Sequence, residues 1–113
     1  MRSRPQQLWL AIEPIDMRLG MDGLSLQVQQ ALGMKPCDGS AYVFRNKRGN
    51  RIKLLTWDGT GVWCCQRRLH RGKFIWPEVQ STVFSVNPEQ WAWLIAGVDW
   101  QRLSDAPHTD WQV

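Results

Sequence analysis

The 113 residues are 43% hydrophobic and 21% charged, which suits one compact domain, leaves little room for a second and argues against global disorder. Net charge is +4 but lopsided: residues 45–73 hold nine basic side chains against Asp58 alone, net +8, while the rest sums to −4. No stretch approaches the ~20 apolar residues that cross a bilayer, and the apolar run 8–12 meets Glu13 too soon for a signal peptide.

Residues 8–12 (LWLAI) read as a short buried strand, closed by Glu13 and by Pro14, which cannot donate to a ladder. A turn at 16–20 precedes a helical pattern over 22–32. There Leu24, Val28, Ala31 and Leu32 share one face, Asp22 is the candidate N-cap and Gly33 the candidate C-cap. After a loop at 36–40, residues 41–46 and 51–57 form two strands joined by a tight cationic turn, and 62–69 a third strand beyond the turn at 58–61. The middle is therefore an antiparallel meander. Period-two alternation puts Ile52 and Leu54 on one face and Arg51 and Lys53 on the other, as in a sheet with one wet side. Residues 82–86 read as one more strand. Asn87, Pro88 and Gln90 then form a helix start, with Asn at N-cap, Pro at N1 and Gln at N3, for a helix reaching about Ala96 and stopped by Gly97. The fold class is α+β: an antiparallel sheet of about four to five strands with a central meander, packed by two helices. A single domain fills 1–113, with 1–7 and 104–113 as loose termini.

The three cysteines have no zinc-like spacing. Cys64 and Cys65 are adjacent on a strand, so they point to opposite faces and do not pair easily with each other; Cys37 is a loop thiol. A reduced, cytoplasmic protein without cofactor or metal is the expectation. Asp16, Asp22 and Asp58 can be grouped as metal-binding carboxylates, as a nuclease or transposase would use them. Each has a local use instead: Asp16 pairs with Arg18 or caps a turn, Asp22 caps a helix, and Asp58 opens a turn before Gly59. His70 lies among arginines, with no acid near it in sequence, and reads as a surface residue.

The cationic quarter of the chain carries the main functional expectation. Arg45, Lys47, Arg48, Arg51 and Lys53 on the hairpin, with Arg67, Arg68, Arg71 and Lys73 after it, are the candidate phosphate contacts. A two-stranded ribbon is also an element that enters a major groove. The competing reading is a solvated sheet face with a charged turn. Trp57, Trp63 and Trp76 are candidates for stacking on unpaired bases or for contacting a partner, against the plainer reading that they fill the core. The chain contains eight tryptophans, and so many indoles around a small core should leave several partly exposed.

The blocks Leu8-Trp9-Leu10-Ala11, Pro14-Ile15-Asp16-Met17-Arg18-Leu19-Gly20-Met21-Asp22-Gly23-Leu24, and Asn46-Lys47-Arg48-Gly49-Asn50-Arg51-Ile52-Lys53-Leu54-Leu55 occur in that order. Trp57-Asp58-Gly59-Thr60-Gly61-Val62-Trp63, Arg67-Arg68-Leu69-His70-Arg71-Gly72-Lys73-Phe74-Ile75-Trp76-Pro77 and Gly97-Val98-Asp99-Trp100 follow. Over residues 8–103 the chain resembles the TnpB-type accessory proteins, products of the second open reading frame of bacterial insertion-sequence-66 elements. The resemblance implies a non-catalytic partner of a separate, larger DDE-type transposase, needed for full transposition, and it carries over no catalytic residue. Cys64 and Cys65 stand where that family usually has larger apolar or aromatic side chains, which speaks against a metal or redox role. Two functions follow as expectations: DNA binding or positioning through the basic meander, or a protein-interaction adaptor that docks on the transposase without touching DNA.

Overall fold

Ala41, Tyr42, Val43 and Phe44 form an unbroken apolar run, and only a strand covered on both faces can bury such a run. In the computed structural model, which describes residues 7–34 and 39–101, all four are buried in the middle of a five-stranded sheet. The strands are β1 (Gln7–Ala11), β2 (Ser40–Arg45), β3 (Arg51–Trp57), β4 (Val62–Arg68) and β5 (Val83–Val86), in the spatial order β4-β3-β2-β1-β5. The expected meander is present as antiparallel β2, β3 and β4, and β5 adds antiparallel to β1. The one departure from antiparallel pairing is β1 beside β2, which run parallel with a helix in the crossover between them.

Both sheet faces are covered, which corrects the expectation of one wet side. On one face Leu24 and Val28 pack against Ala11, Tyr42, Phe44 and Leu55. On the other, Leu94 and Trp100 meet Leu8, Leu10, Val43, Leu54 and Phe74. Lys53 shares its face with buried Leu55, so alternation alone does not sort this strand into wet and dry.

The first helix differs in detail from its sequence reading. Helix α1 (Met21–Leu26) starts two residues early, with Gly20 rather than Asp22 at the N-cap, so Asp22 lies in the first turn near the positive end of the helix dipole rather than capping it. A π-helical turn, Gln27–Ala31, follows, in which Leu32 N–H donates to the Gln27 carbonyl. The wider turn rotates Ala31 off the inner face and leaves it exposed, while Leu32 still packs on the core. Gly33, at φ +66°, ends the segment as expected.

Helix α2 (Pro88–Ile95) matches its sequence reading. Asn87 accepts from the Gln90 backbone N–H, Gln90 reciprocates through its side chain, and Pro88 occupies the first turn. Its C-terminus is a Schellman motif: Gly97 N–H donates to Leu94 and Val98 N–H to Trp93. Gly97 has φ +78°, which strains any residue with a Cβ, and a Cβ there would also press on Leu69. The chain from β4 to β5 crosses one end of the sheet. Phe74 N–H donates to Gly49, the Trp76 ring N–H to Ala11, and Ile12 N–H to Thr82, so strand ends at that edge are tied together. Among the described residues no helix is long and apolar enough to cross a membrane. Cys37, His108 and the termini 1–6 and 102–113 lie outside the described residues, as does most of the predicted loop 36–40.

Candidate nucleic-acid interface

The nine candidate cations divide into two groups, and hydrogen bonding decides the division. Arg45 donates from Nε and Nη2 to the Ile12 carbonyl at 3.2 and 3.0 Å, which fastens β2 to the exit of β1. Lys53 Nζ donates to the Met17 and Leu19 carbonyls at 2.7 and 2.8 Å, fixing the loop that leads into α1. Arg67 Nε donates at 2.8 Å to the Ile95 carbonyl, at the negative end of α2 where a cation is favoured. These three hold the fold together.

The other six gather at the sheet end formed by the β2–β3 turn and the exit from β4. Lys47, Arg48, Arg68, Arg71 and Lys73 are exposed and Arg51 is half-buried. None of the six side chains has a hydrogen-bond or ion-pair partner among the described residues. Asn46 shapes the turn: its Oδ1 accepts from the Gly49 and Arg51 N–H groups, each at 3.0 Å, and its Nδ2 donates to Asn50. Gly49, at φ +79°, takes the left-handed position beside the Lys73 side chain. The turn backbone therefore points Lys47 and Arg48 outward from a fixed base. The hairpin is not a free ribbon, because β1 and β4 flank its two strands; only its tip projects.

Arg51 and Arg68 stand directly opposite each other in the β3–β4 ladder. Leu69 N–H donates to Asn50 one pair further on, so by alternation this is a pair without mutual backbone hydrogen bonds, with Cα atoms about 4.5 Å apart. Two like charges at that spacing oppose folding. The register that aligns them was implicit in the length of the turn at 58–61, although neither residue stands out in the sequence as half of a pair.

The three tryptophans do different jobs. Trp57 meets Tyr42 edge to face, with centroids 5.8 Å apart. Trp76 is half-buried on the core and its ring N–H donates to the Ala11 carbonyl at 2.7 Å. Only Trp63 is well exposed, at 42%, and it is the second residue of β4, at the opposite end of that strand from the cationic cluster.

The carboxylates serve turns. Asp16 pairs with Arg18 at 2.7 Å, and Asp58 accepts from Thr60, from the Gly61 N–H and from the Trp63 ring. Among the described residues no three His, Cys, Asp or Glu side chains gather as a metal cluster would. Hydrogen bonds from Arg18 hold the Asp16 carboxyl down from 3.8 to about 2. Those from Trp63, Thr60 and Gly61 hold Asp58 well below the carboxylate range. A carboxyl depressed by folding lends stability that is complete above its unfolded pKa, near 4, and is lost as pH falls through the folded value. The melting temperature should thus drop between pH 4 and pH 2 more steeply for the wild type than for Asp58→Asn, a comparison thermal melts followed by circular dichroism can make. Equal slopes would show that the Asp58 cage contributes nothing. Both groups are exposed, so the effect is modest. Cys64 and Cys65 are free thiols on opposite faces of β4, and burial pushes the Cys64 thiol up.

Fold and surface together define a small α+β domain, a five-stranded sheet between helices, with cationic side chains that have no partner among the described residues concentrated at one sheet end. Comparison with known sequences supplies the family. A model of the IS66 Orf2-like proteins matches residues 6–105, and the chain belongs to that family, which is associated with transposition of IS66 elements. Two Sinorhizobium fredii proteins, both called uncharacterized, are similar along nearly their whole length. The chain is 35% identical to y4hO over 94% of itself and 89% of that protein, and 39% identical to y4jC over 93% and 90%. No solved structure matches.

Proposed function

We propose that the protein is a non-catalytic accessory factor in the transposition of an IS66-type element, and that it holds DNA by the phosphate backbone on the cationic end of its sheet. The Arg51–Arg68 pair carries the reading. Like charges directly across a ladder cost stability, and a bound phosphate between or beside them turns that cost into attraction. Lys47, Arg48, Arg71 and Lys73 extend the same field over an area wide enough for successive phosphates. No base-reading element is invoked: the turn tip and the β4 exit are short, and backbone contact alone gives positioning without sequence choice.

The test is fluorescence anisotropy of a labelled element-end duplex and a matched single strand, titrated with purified protein at two salt concentrations. Six phosphate contacts give a log–log salt slope of about −5 on duplex, so affinity should fall about a thousand-fold between 50 and 200 mM salt. Absence of binding at low salt would sink the DNA reading. Docking on the element's transposase would then take its place, with α1 as its surface, since α1 leaves Met21 and Leu26 exposed at 41% and 52%.

A further inference from the structure

Strand β4 is an open edge. Among the described residues its only ladder is with β3, and it is the most exposed strand of the sheet. The direction of its remaining backbone groups follows from the alternation of an antiparallel ladder. Leu69 N–H donates to Asn50 at one end of the register and Asp58 N–H to Gly61 at the other. The mutually bonded pairs between them are therefore Ile52–Arg67, Leu54–Cys65 and Thr56–Trp63. Val62, Cys64, Gln66 and Arg68 aim their N–H and C=O groups away from the sheet, with no partner among the described residues. A row of this kind is a template for another strand.

We propose that β4 pairs antiparallel with β4 of a second copy of this chain, about a two-fold axis at Cys65, to give one continuous ten-stranded sheet. That register matches all four outward residues, Val62 to Arg68 and Cys64 to Gln66 on each strand. A shift by two residues leaves one of the four unmatched on each strand.

The side chains agree with it. On the face that carries α2, Trp63 comes opposite Arg67 of the second copy, twice over, a cation–π match. Both groups are already held in place: the Trp63 ring N–H by Asp58 at 2.8 Å and the Arg67 Nε by Ile95 at 2.8 Å. Little side-chain entropy is left to lose on association. The antiparallel arrangement also sends Arg67 and Arg68 of the two copies to opposite ends, whereas parallel pairing would stack them. The last match is Cys65 against Cys65, a pair not mutually hydrogen-bonded, with Cα atoms about 4.5 Å apart, within the range a disulfide bridges.

That proximity gives the test. Protein carrying Cys37→Ser, freed of nucleic acid at high salt, is examined by sedimentation equilibrium and by oxidation with diamide. Diamide takes two electrons and two protons from two thiols and leaves one S–S bond. The expected result is a dimer that cross-links rapidly, keeps cross-linking with Cys64→Ser and loses it with Cys65→Ser. Gln66→Pro removes an outward N–H that β3 does not use, and should weaken dimerisation at least tenfold with the far-ultraviolet spectrum unchanged. Should that variant unfold, the two cysteine variants still decide. A monomer at all concentrations overturns the proposal, as does cross-linking through Cys64, which requires another register. A monomer that co-sediments only with the transposase assigns the edge to a different protein and likewise overturns it.

Discussion

Replacing Trp100 with alanine is expected to cost about 3–5 kcal/mol, much of the 5–15 kcal/mol that a domain of this size commands. Its side chain is 1% exposed, the largest fully buried one among the described residues. It joins the cluster formed by Leu8, Val43, Ile52, Phe74 and Leu94, and it tilts against Phe84 at 5.9 Å. Its ring N–H also donates to the Ile75 carbonyl at 2.5 Å, in the segment that ties the strand ends together. Alanine would therefore open a cavity and orphan a carbonyl at the same place. Trp100→Phe separates the two effects: it keeps most of the apolar bulk and should lose only about 1–2 kcal/mol, the cost of an unmet buried acceptor and a smaller ring. Urea denaturation followed by circular dichroism measures both, with an unchanged slope against denaturant showing that the unfolded state is the same. A loss below about 1 kcal/mol for the alanine variant would mean that the core closes without this ring, contrary to the packing described.

Local chemistry was legible in the sequence, and long-range chemistry was not. Asn87, Pro88 and Gln90 specify a helix start through groups three residues apart, and the observed capping box uses those atoms. The turn at 47–50 and the strand bounds of β3 are equally local, because spacing and alternation settle them. Nothing in the sequence separates Arg45, Lys53 and Arg67 from the other cations, because the carbonyls they serve lie about 30 residues away, where sequence spacing gives no signal. The sequence does carry one signal against a sheet with one wet side: the continuous apolar run 41–44 marks a central strand buried on both faces. The parallel β1–β2 pair and the open edge at β4 depend on strand order, which no local pattern encodes.

That division of the cations gives the second large effect, because it separates net charge from placement. Two variants remove the same formal charge. One replaces the unpaired Arg48, Arg68 and Lys73 with glutamine; the other replaces Arg45, Lys53 and Arg67, which hold backbone carbonyls. Losing three phosphate contacts should flatten the log–log salt slope by about 3 units and weaken duplex binding at 0.1 M salt by on the order of 10²–10³. The first variant should show that loss while melting no lower than wild type, and slightly higher to the extent that Arg68→Gln relieves the repulsion with Arg51. The second should do the reverse: its folded fraction binds within a few fold of wild type, but charge-assisted bonds worth about 1.5–3 kcal/mol each are gone, so it melts earlier. Anisotropy titrations and thermal melts on both proteins read the two axes. Equal loss of binding in the two variants would reduce the interface to net charge alone. Retained binding in the first would remove DNA from this end of the sheet altogether, and leave the Arg51–Arg68 repulsion to be explained by a different polyanion.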